Sequence, residues 1–515
     1  MYKIISIQFY NHPVLGNHNI SLADPGEESR SAYISLIIGG NGTGKTKTLI
    51  AISEILNYID DFDPFSKSQL DFTFKIDILN NKTRSIFDNI NSRLSLNDDA
   101  VLFGFEKQQF LPKRLIANAY TFNDDFPFSK KTDFYVYGGL RTASNNIFIN
   151  KPIETIFKNL SKIINKENQV ILLDRVFDEL FLKKRITVFY AKRPNYNKLF
   201  KNKEILPLLV EITSNQNSNP NELQIEKFRM LLEKFISQNN KTKKFGDESI
   251  LRFINDNNSV RDLLNLLINL FDKETIDGRS LTLDFKFEYN WTETKDDEQN
   301  AKFKEHFKHF KFLSDLDVAS FDSFEVYRDV FYDFQKASSG EIHMLHIVSS
   351  IIANIEPNSV VIIDEPEISL HPNWQNKLIH TLKPIIEVFK DSHFIIASHS
   401  HFIVSDLDHK NSSITSLKRD VNNGDLIVKN LEMIDTEGWS AEQILFEIFE
   451  MPTDRNYYLS LKVQEILDEM SKTNPDHKKI SDAQEELRKY NFDNLHRQDP
   501  FYKVLKTVIA NDLEA

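Results

Sequence analysis

Apolar and polar positions change rhythm along the chain in a way that predicts its elements. Near the start, Ile4, Ile5, Ile7 and Phe9 give a strand-like pattern, and Tyr33-Ile34-Ser35-Leu36-Ile37-Ile38 is a near-continuous apolar run of the kind buried on both faces of a sheet. A glycine-rich turn follows at once. From Thr46 the period becomes helical, with Leu49, Ile52, Leu56 and Ile59 on one face, so the local order is strand, glycine loop, helix. Far downstream, Val360-Val361-Ile362-Ile363 runs into Asp364-Glu365, and Phe394-Ile395-Ile396-Ala397 runs into Ser398-His399. These β-branched and aromatic runs, separated by helical stretches, predict an α/β fold whose sheet draws its strands from distant parts of the chain.

Between the two ends lies a long insertion. From about Glu204 to Asp277 it is polar and helical in pattern, with Phe228, Leu231, Leu232 and Phe235, then Leu263, Leu264, Leu267 and Leu270, at helical spacing. No heptads are sustained long enough for a coiled-coil arm. The tail after Met451 is again helical, with Leu461, Val463, Ile466, Leu467 and Met470 as its apolar face, and the Asn-rich tracts at 215–221 and 239–244 read as loops.

Composition removes several function classes. The 515 residues contain no cysteine, which excludes disulfides, Cys-ligated zinc, iron–sulfur clusters and thiol nucleophiles. The N-terminus runs straight into a strand pattern without an apolar signal segment, and no apolar run approaches the length needed to span a bilayer; a cytoplasmic protein with no membrane role of its own is expected. A net charge of −12 argues against a protein that coats nucleic acid over its whole surface but leaves local patches open.

The chemistry is concentrated at strand ends. Gly39-Gly40-Asn41-Gly42-Thr43-Gly44-Lys45-Thr46 fits G-x-x-x-x-G-K-[ST] immediately after an apolar strand and at the opening of a helix. In that setting Gly39, Asn41, Gly42, Thr43 and Gly44 let backbone N–H groups wrap phosphates, Lys45 reaches the β- and γ-phosphates of ATP, and the Thr46 hydroxyl ligates Mg2+. Asp364, delivered by a buried strand, is the candidate second metal ligand, and Glu365 the candidate for positioning and deprotonating the attacking water. Ser338-Ser339-Gly340-Glu341 precedes an apolar helical stretch; Ser338 and Glu341 fit a capping box, and a capped helix N-terminus is also an anion site.

Together these motifs resemble those of the ABC ATPases, in the soluble branch that includes RecF, SMC heads and OLD-type ATPases. The resemblance implies an ABC-type head with a phosphate-loop lobe and a signature-helix lobe. It also implies that Ser338, Ser339 and Gly340 of one subunit touch the γ-phosphate held by another, so that ATP drives homodimerisation. Asp364-Glu365-Pro366-Glu367-Ile368-Ser369-Leu370-His371-Pro372 resembles the Walker B and D-loop of that branch, and His399 its switch histidine. The implied organisation is a first ATPase lobe over 1–170, a mainly helical insertion over 171–285, a second lobe over 286–450 and a helical tail over 451–515. Among functions, the resemblance points to the ATPase subunit of an anti-phage complex of the Septu or PARIS type, with a separate effector such as a nuclease. The alternatives are a RecF-like repair ATPase and a slowly hydrolysing, nucleotide-gated scaffold.

The remaining features are less specific. His401 beside His399 is not read as a metal pair, since alternating residues at a strand exit rarely face one ion. Gln108 and Gln109 are candidates for the glutamine loop, and Arg141 for an extra nucleotide or interface contact. Lys183 to Lys203 is free of acids and interleaves basic residues with Phe189, Tyr190, Tyr196 and Phe200, which makes it the candidate DNA contact. Lys302 to Lys311 reads as a helix packed through Phe303, Phe307 and Phe310, and Ser440 with Gln443 as a helix cap after Trp439.

Overall fold

The computed structural model describes the chain apart from residues 27–30, 64–69, 91–93, 102–108, 122–123, 129–132, 140–150, 164–165, 201–203, 215–219, 239–247, 273–284, 291–296, 328–330, 334–338, 409, 421–423, 432–435, 437–438, 451–456, 473, 490–499 and 510–515. The chain divides into two compact units, Met1–Ile147 with Asn354–Ala515, and Phe148–Ala353. Compactness thus changes at 147/148 and 353/354, whereas the sequence suggested boundaries at 170, 285 and 450.

In the first unit the described residues form two sheets. The seven-stranded sheet has the order Leu426–Leu431, Ser412–Arg419, Tyr33–Gly39, His393–Ser398, Ser359–Asp364, Arg114–Ala119, Tyr135–Tyr137. All neighbours are parallel except the Leu426–Leu431 edge, which pairs antiparallel. Ser359–Asp364 and His393–Ser398 are buried at every position, as their unbroken apolar runs predict for parallel strands covered on both faces. Asp364 lies opposite Ala397, and Ser398 opposite Ile38, so the carboxyl ends of three strands from distant segments meet at one edge of the sheet. Ligands in open α/β sheets bind at such an edge.

A six-stranded antiparallel sheet in the order Gly16–Ser21, Tyr2–His12, Thr73–Asn80, Thr83–Asp88, Ser95–Leu96, Asp99–Ala100 completes this unit. The helix Lys45–Asp60 turns Leu49, Ile52, Leu56 and Ile59, all fully buried, into the same apolar cluster as Phe9, Phe74 and Phe87 of the antiparallel sheet and Val360, Ile362 and Ile395 of the parallel one. One core therefore fixes the start of the helix relative to both sheets. The tail helices Tyr457–Met470, His477–Leu487 and Pro500–Ile509 gather a small core of their own around Val463, Ile466, Leu487 and Val508. Leu461, expected on that apolar face, is instead 47% exposed.

The second unit pairs helices with a four-stranded antiparallel sheet, ordered Phe285–Asn290, Lys183–Lys192, Ala319–Tyr327, Phe331–Asp333. Phe228, Leu232 and Phe235 of helix Glu222–Gln238 and Leu263, Leu264 and Leu267 of helix Asn257–Asp272 are buried in one cluster with Phe310 and Leu313 of helix Asp297–Asp315. The first half of the acid-free segment is thus a central strand. The α/β class expected from the sequence holds: the first unit carries a mostly parallel sheet with helices, and the second is mixed and largely helical.

Candidate nucleotide-binding site

The site is built where the strand Tyr33–Gly39 ends. Gly39, Gly42 and Gly44 all adopt positive φ, and Gly44, at 103°, caps the helix that begins at Lys45. A Cβ on Gly44 would lie 2.8 Å from Leu15 Cδ2, so both the backbone angle and the close approach of Leu15 require glycine there. Thr43 Oγ1 donates to the Gly40 carbonyl at 2.9 Å, closing the loop on itself.

Lys45, Thr46, Asp364, Glu365 and His399 converge on this loop. The Lys45 ammonium donates to the Gly39 and Gly40 carbonyls at 2.9 and 3.0 Å and lies 3.3 Å from His399 Nδ1. His399 Nε2 stands 2.7 Å from Glu365 Oε1. An ammonium only donates and a carboxylate only accepts, so this chain fixes the imidazole with Nδ1 as acceptor and Nε2–H as donor. Thr46 Oγ1 donates to Asp364 Oδ1 at 3.1 Å. Asn41 and Gly42 lie in the loop between, with Asn41 exposed.

The electrostatics follow from burial. Asp364 is fully buried, and burial together with the neighbouring Glu365 charge pushes its pKa up to about 7, against a smaller pull from Thr46 and Lys45. Its Oδ2 has no hydrogen-bond partner. A buried carboxylate oxygen left bare beside a serine-type hydroxyl and a lysine fits a divalent cation held jointly with Thr46. Burial draws the Lys45 pKa down, partly offset by Glu365, Asp364 and Glu367. The hydrogen bond from His399 holds Glu365 below the usual carboxylate range.

Sequence reasoning gave Glu367 no role of its own, and its position was hidden by sequence distance. The backbone N–H of His399 donates to Glu367 Oε1, while Glu367 Oε2 has no partner and burial raises the group's pKa. Ser400 N–H donates to Ser398 Oγ at 2.9 Å, and Ser400 Oγ donates to Gln375 Oε1 at 2.8 Å, so the backbone after the strand His393–Ser398 is tied from two sides. His401 opens the next short helix, with its ring 4.0 Å from that of Phe402, so the rings of His399 and His401 serve different neighbours.

Ser339 is exposed at the start of helix Ser339–Asn354 and Gly340 is buried; both belong to the second unit, and Ser338 lies outside the described residues. Arg141 and Gln108 also lie outside them, and the Gln109 carbonyl accepts from Asn80 Nδ2 at 2.8 Å. Within the acid-free segment, Tyr190 stacks on Phe310 at 3.7 Å and Tyr196 is 3% exposed, so these two aromatics serve the core. Arg193 pairs with Asp317 at 3.4 Å. The Ser440 hydroxyl accepts from Gln443 N–H at 3.2 Å, the cap read from the sequence, and Trp439 before it is half-buried. Among the described residues no helix is long and apolar enough to cross a membrane.

Among curated proteins, the Septu protein PtuA of Bacillus thuringiensis is 25% identical over 192 residues, which cover 34% of this chain and 46% of that protein, so the match spans under half of its length. Among solved structures, the Smc head domain with a coiled coil and joint derived from Pyrococcus yayanosii is 14% identical, with 87% of this chain and 99% of that one covered, at a TM-score of 0.33. The SMC head domain from Thermotoga maritima is 9% identical, with 84% and 99% covered, at a TM-score of 0.32. Residues 34–405, well over half of the chain, match the family described as "AAA domain, putative AbiEii toxin, Type IV TA system", and the chain belongs to that family.

Proposed function

We propose that this chain is a cytoplasmic ABC-class ATPase subunit of an anti-phage complex, which dimerises around two Mg-ATP molecules and controls a separate effector, such as a nuclease. The observation that carries the nucleotide part is the convergence of Lys45, Thr46, Asp364, Glu365 and His399 on one glycine loop. The defence part rests on the similarity to PtuA and on the motif resemblance. The loop glycines and backbone N–H groups from Gly39 to Lys45 bind the phosphates, and Lys45 leaves its carbonyl partners to pair with them. Thr46 and Asp364 hold Mg2+, which neutralises phosphate charge when bound. Glu365 orients a water and accepts its proton, and His399, donating to Glu365 through Nε2, holds that carboxylate in place. Ser338, Ser339 and Gly340 of a second copy complete the phosphate pocket.

The test separates binding from turnover. Lys45→Ala removes a charge-assisted contact and should weaken ATP binding by roughly 10–100-fold. Glu365→Gln should bind ATP normally, lose turnover by about 10²–10⁴-fold, and accumulate as a dimer in light scattering. Ser339→Arg should bind ATP as a monomer and fail to dimerise. Normal turnover in the Gln variant would overturn the role of Glu365, and an ATP-independent oligomeric state in all three would overturn the nucleotide-driven dimer. Hydrolysis stimulated by DNA in the isolated chain would favour direct DNA binding instead.

A further inference from the structure

The second unit holds a cluster of ionisable groups that nucleotide chemistry does not use. Glu305 and His309 sit four residues apart on helix Asp297–Asp315, so they lie on one face of it, and Asp262 faces them from helix Asn257–Asp272. One ligand atom from each lies within 4.8 Å of the other two. Asp262 and Glu305 are within hydrogen-bonding reach of each other. Two ionised carboxylates are both acceptors, so this approach requires a shared proton or a cation between them.

His309 distinguishes the two. It is 1% exposed, and neither ring nitrogen has a hydrogen-bond partner. A shared proton between the acids would leave that imidazole unexplained, because a buried polar ring without partners is costly. A metal ion satisfies all three groups together. The ring is held edge-on by Phe253, at 5.8 Å and 88°, and Phe253 is itself stacked on Phe312 at 4.0 Å, so apolar packing sets the imidazole orientation. The Ser259 backbone approaches the ring from the facing helix closely enough to interact with it, and is placed to take the other ring N–H, as groups behind metal-bound histidines do. Lys308, whose charge is felt by both Glu305 and His309, has its Nζ hydrogen-bonded to Ser259 Oγ and 3.5 Å from Asp256.

We propose that Asp262, Glu305 and His309 form a structural site for one divalent transition-metal ion that ties helix Asn257–Asp272 to helix Asp297–Asp315. One imidazole and two carboxylates suit Zn2+, Mn2+ or Fe2+, and the imidazole disfavours the all-oxygen shells of Mg2+ and Ca2+. The ligand atoms need only move together by rotamer adjustment to reach metal–ligand distances of about 2.0–2.2 Å, with water as a further ligand.

The probe is Zn2+ itself, added to the full chain after chelator treatment and dialysis, in the presence of Mg2+. Metal content, calorimetric titration and thermal melting are read on wild type, Asp262→Asn, Glu305→Gln and His309→Leu. Lys45→Ala serves as a control that disturbs the nucleotide site alone. Wild type and Lys45→Ala should bind one equivalent and melt at a higher temperature with Zn2+, and each cluster variant should bind at least roughly tenfold more weakly and lose the shift. Should His309→Leu fail to fold, the two isosteric carboxylate variants still decide the matter. Co2+ in place of Zn2+ should give a visible ligand-field spectrum in wild type that Glu305→Gln alters. Equal Zn2+ binding by wild type and all cluster variants, or none by wild type, overturns the proposal.

Discussion

Asp364 carries its functional potential as a cost to the folded chain. Burial and the adjacent Glu365 charge set its pKa at about 7 in the fold, against an ordinary value of 3.8. The folded value is raised, so the folded state holds a proton that the unfolded state has released. The group's contribution to stability is therefore fully present below about pH 4 and is lost as pH rises through 7. Asp364→Asn should accordingly stabilise the nucleotide-free protein at pH 8 by on the order of 1–3 kcal/mol, with the gain shrinking toward pH 4, while abolishing Mg2+-dependent ATP binding. Urea denaturation at the two pH values checks the first part; a gain independent of pH would contradict the assignment. Glu365 adds strain of another kind, since its φ is 47° and its N–H is pinned to the Ala397 carbonyl at 2.9 Å. Left-handed backbone costs a non-glycine residue about 1–2 kcal/mol.

At the scale of elements, caps decide where helices begin. Asn221 and Gln224 cap helix Glu222–Gln238 reciprocally: Asn221 Oδ1 accepts from Gln224 N–H at 2.9 Å, and Gln224 Oε1 accepts from Asn221 N–H at 3.0 Å. Asn221→Ala should cost about 1 kcal/mol, and Gln224→Ala added to it should cost less than it does alone, because the pair acts as a unit; a double-mutant cycle in urea measures this, and strict additivity would contradict it. That Asn221 closes an Asn-rich tract was readable as a loop, but the reciprocal cap was not singled out. The strand Lys183–Lys192 shows the same limit from the other side. Its buried Ile186 and Val188 alternate at period two, yet the density of lysine and arginine makes the segment read as a charged surface. By contrast, the glycine loop, Asp364, Glu365 and His399 were legible because their positions at apolar strand ends are local signals. Their meeting needed the parallel registers that join segments up to 354 residues apart. Glu367 and Gln375 were not legible as supports, since each acts through a backbone or hydroxyl contact on a remote segment.

At the scale of the molecule, the first unit draws its sheets from both ends of the chain, and His393 is where they are joined. Ile4 N–H, from the antiparallel sheet, donates to His393 Nδ1 at 3.0 Å, and His393 Nε2 lies 2.7 Å from Ser35 Oγ in the parallel sheet. Because Nδ1 must accept from Ile4, the imidazole is neutral with its proton on Nε2. Complete burial and the nearby Lys3 charge hold its pKa down to about 3, and Tyr33 packs edge-on against the ring at 5.6 Å. The folded value is depressed below the unfolded 6.5, so the unfolded chain takes up the proton first. Stability from this group is present above pH 6.5 and is lost as pH falls toward 3. Over that window the linkage slope from one proton approaches about 1.4 kcal/mol per pH unit. His393→Gln, which keeps an acceptor for Ile4 and a donor for Ser35, should be less stable than wild type at pH 7.5 through imperfect packing, yet lose less stability between pH 6.5 and 5. Denaturation midpoints at several pH values give the comparison directly. A variant whose pH slope equals that of wild type would show that acid sensitivity resides elsewhere, and that the junction of the two sheets is held by packing rather than by a neutral imidazole.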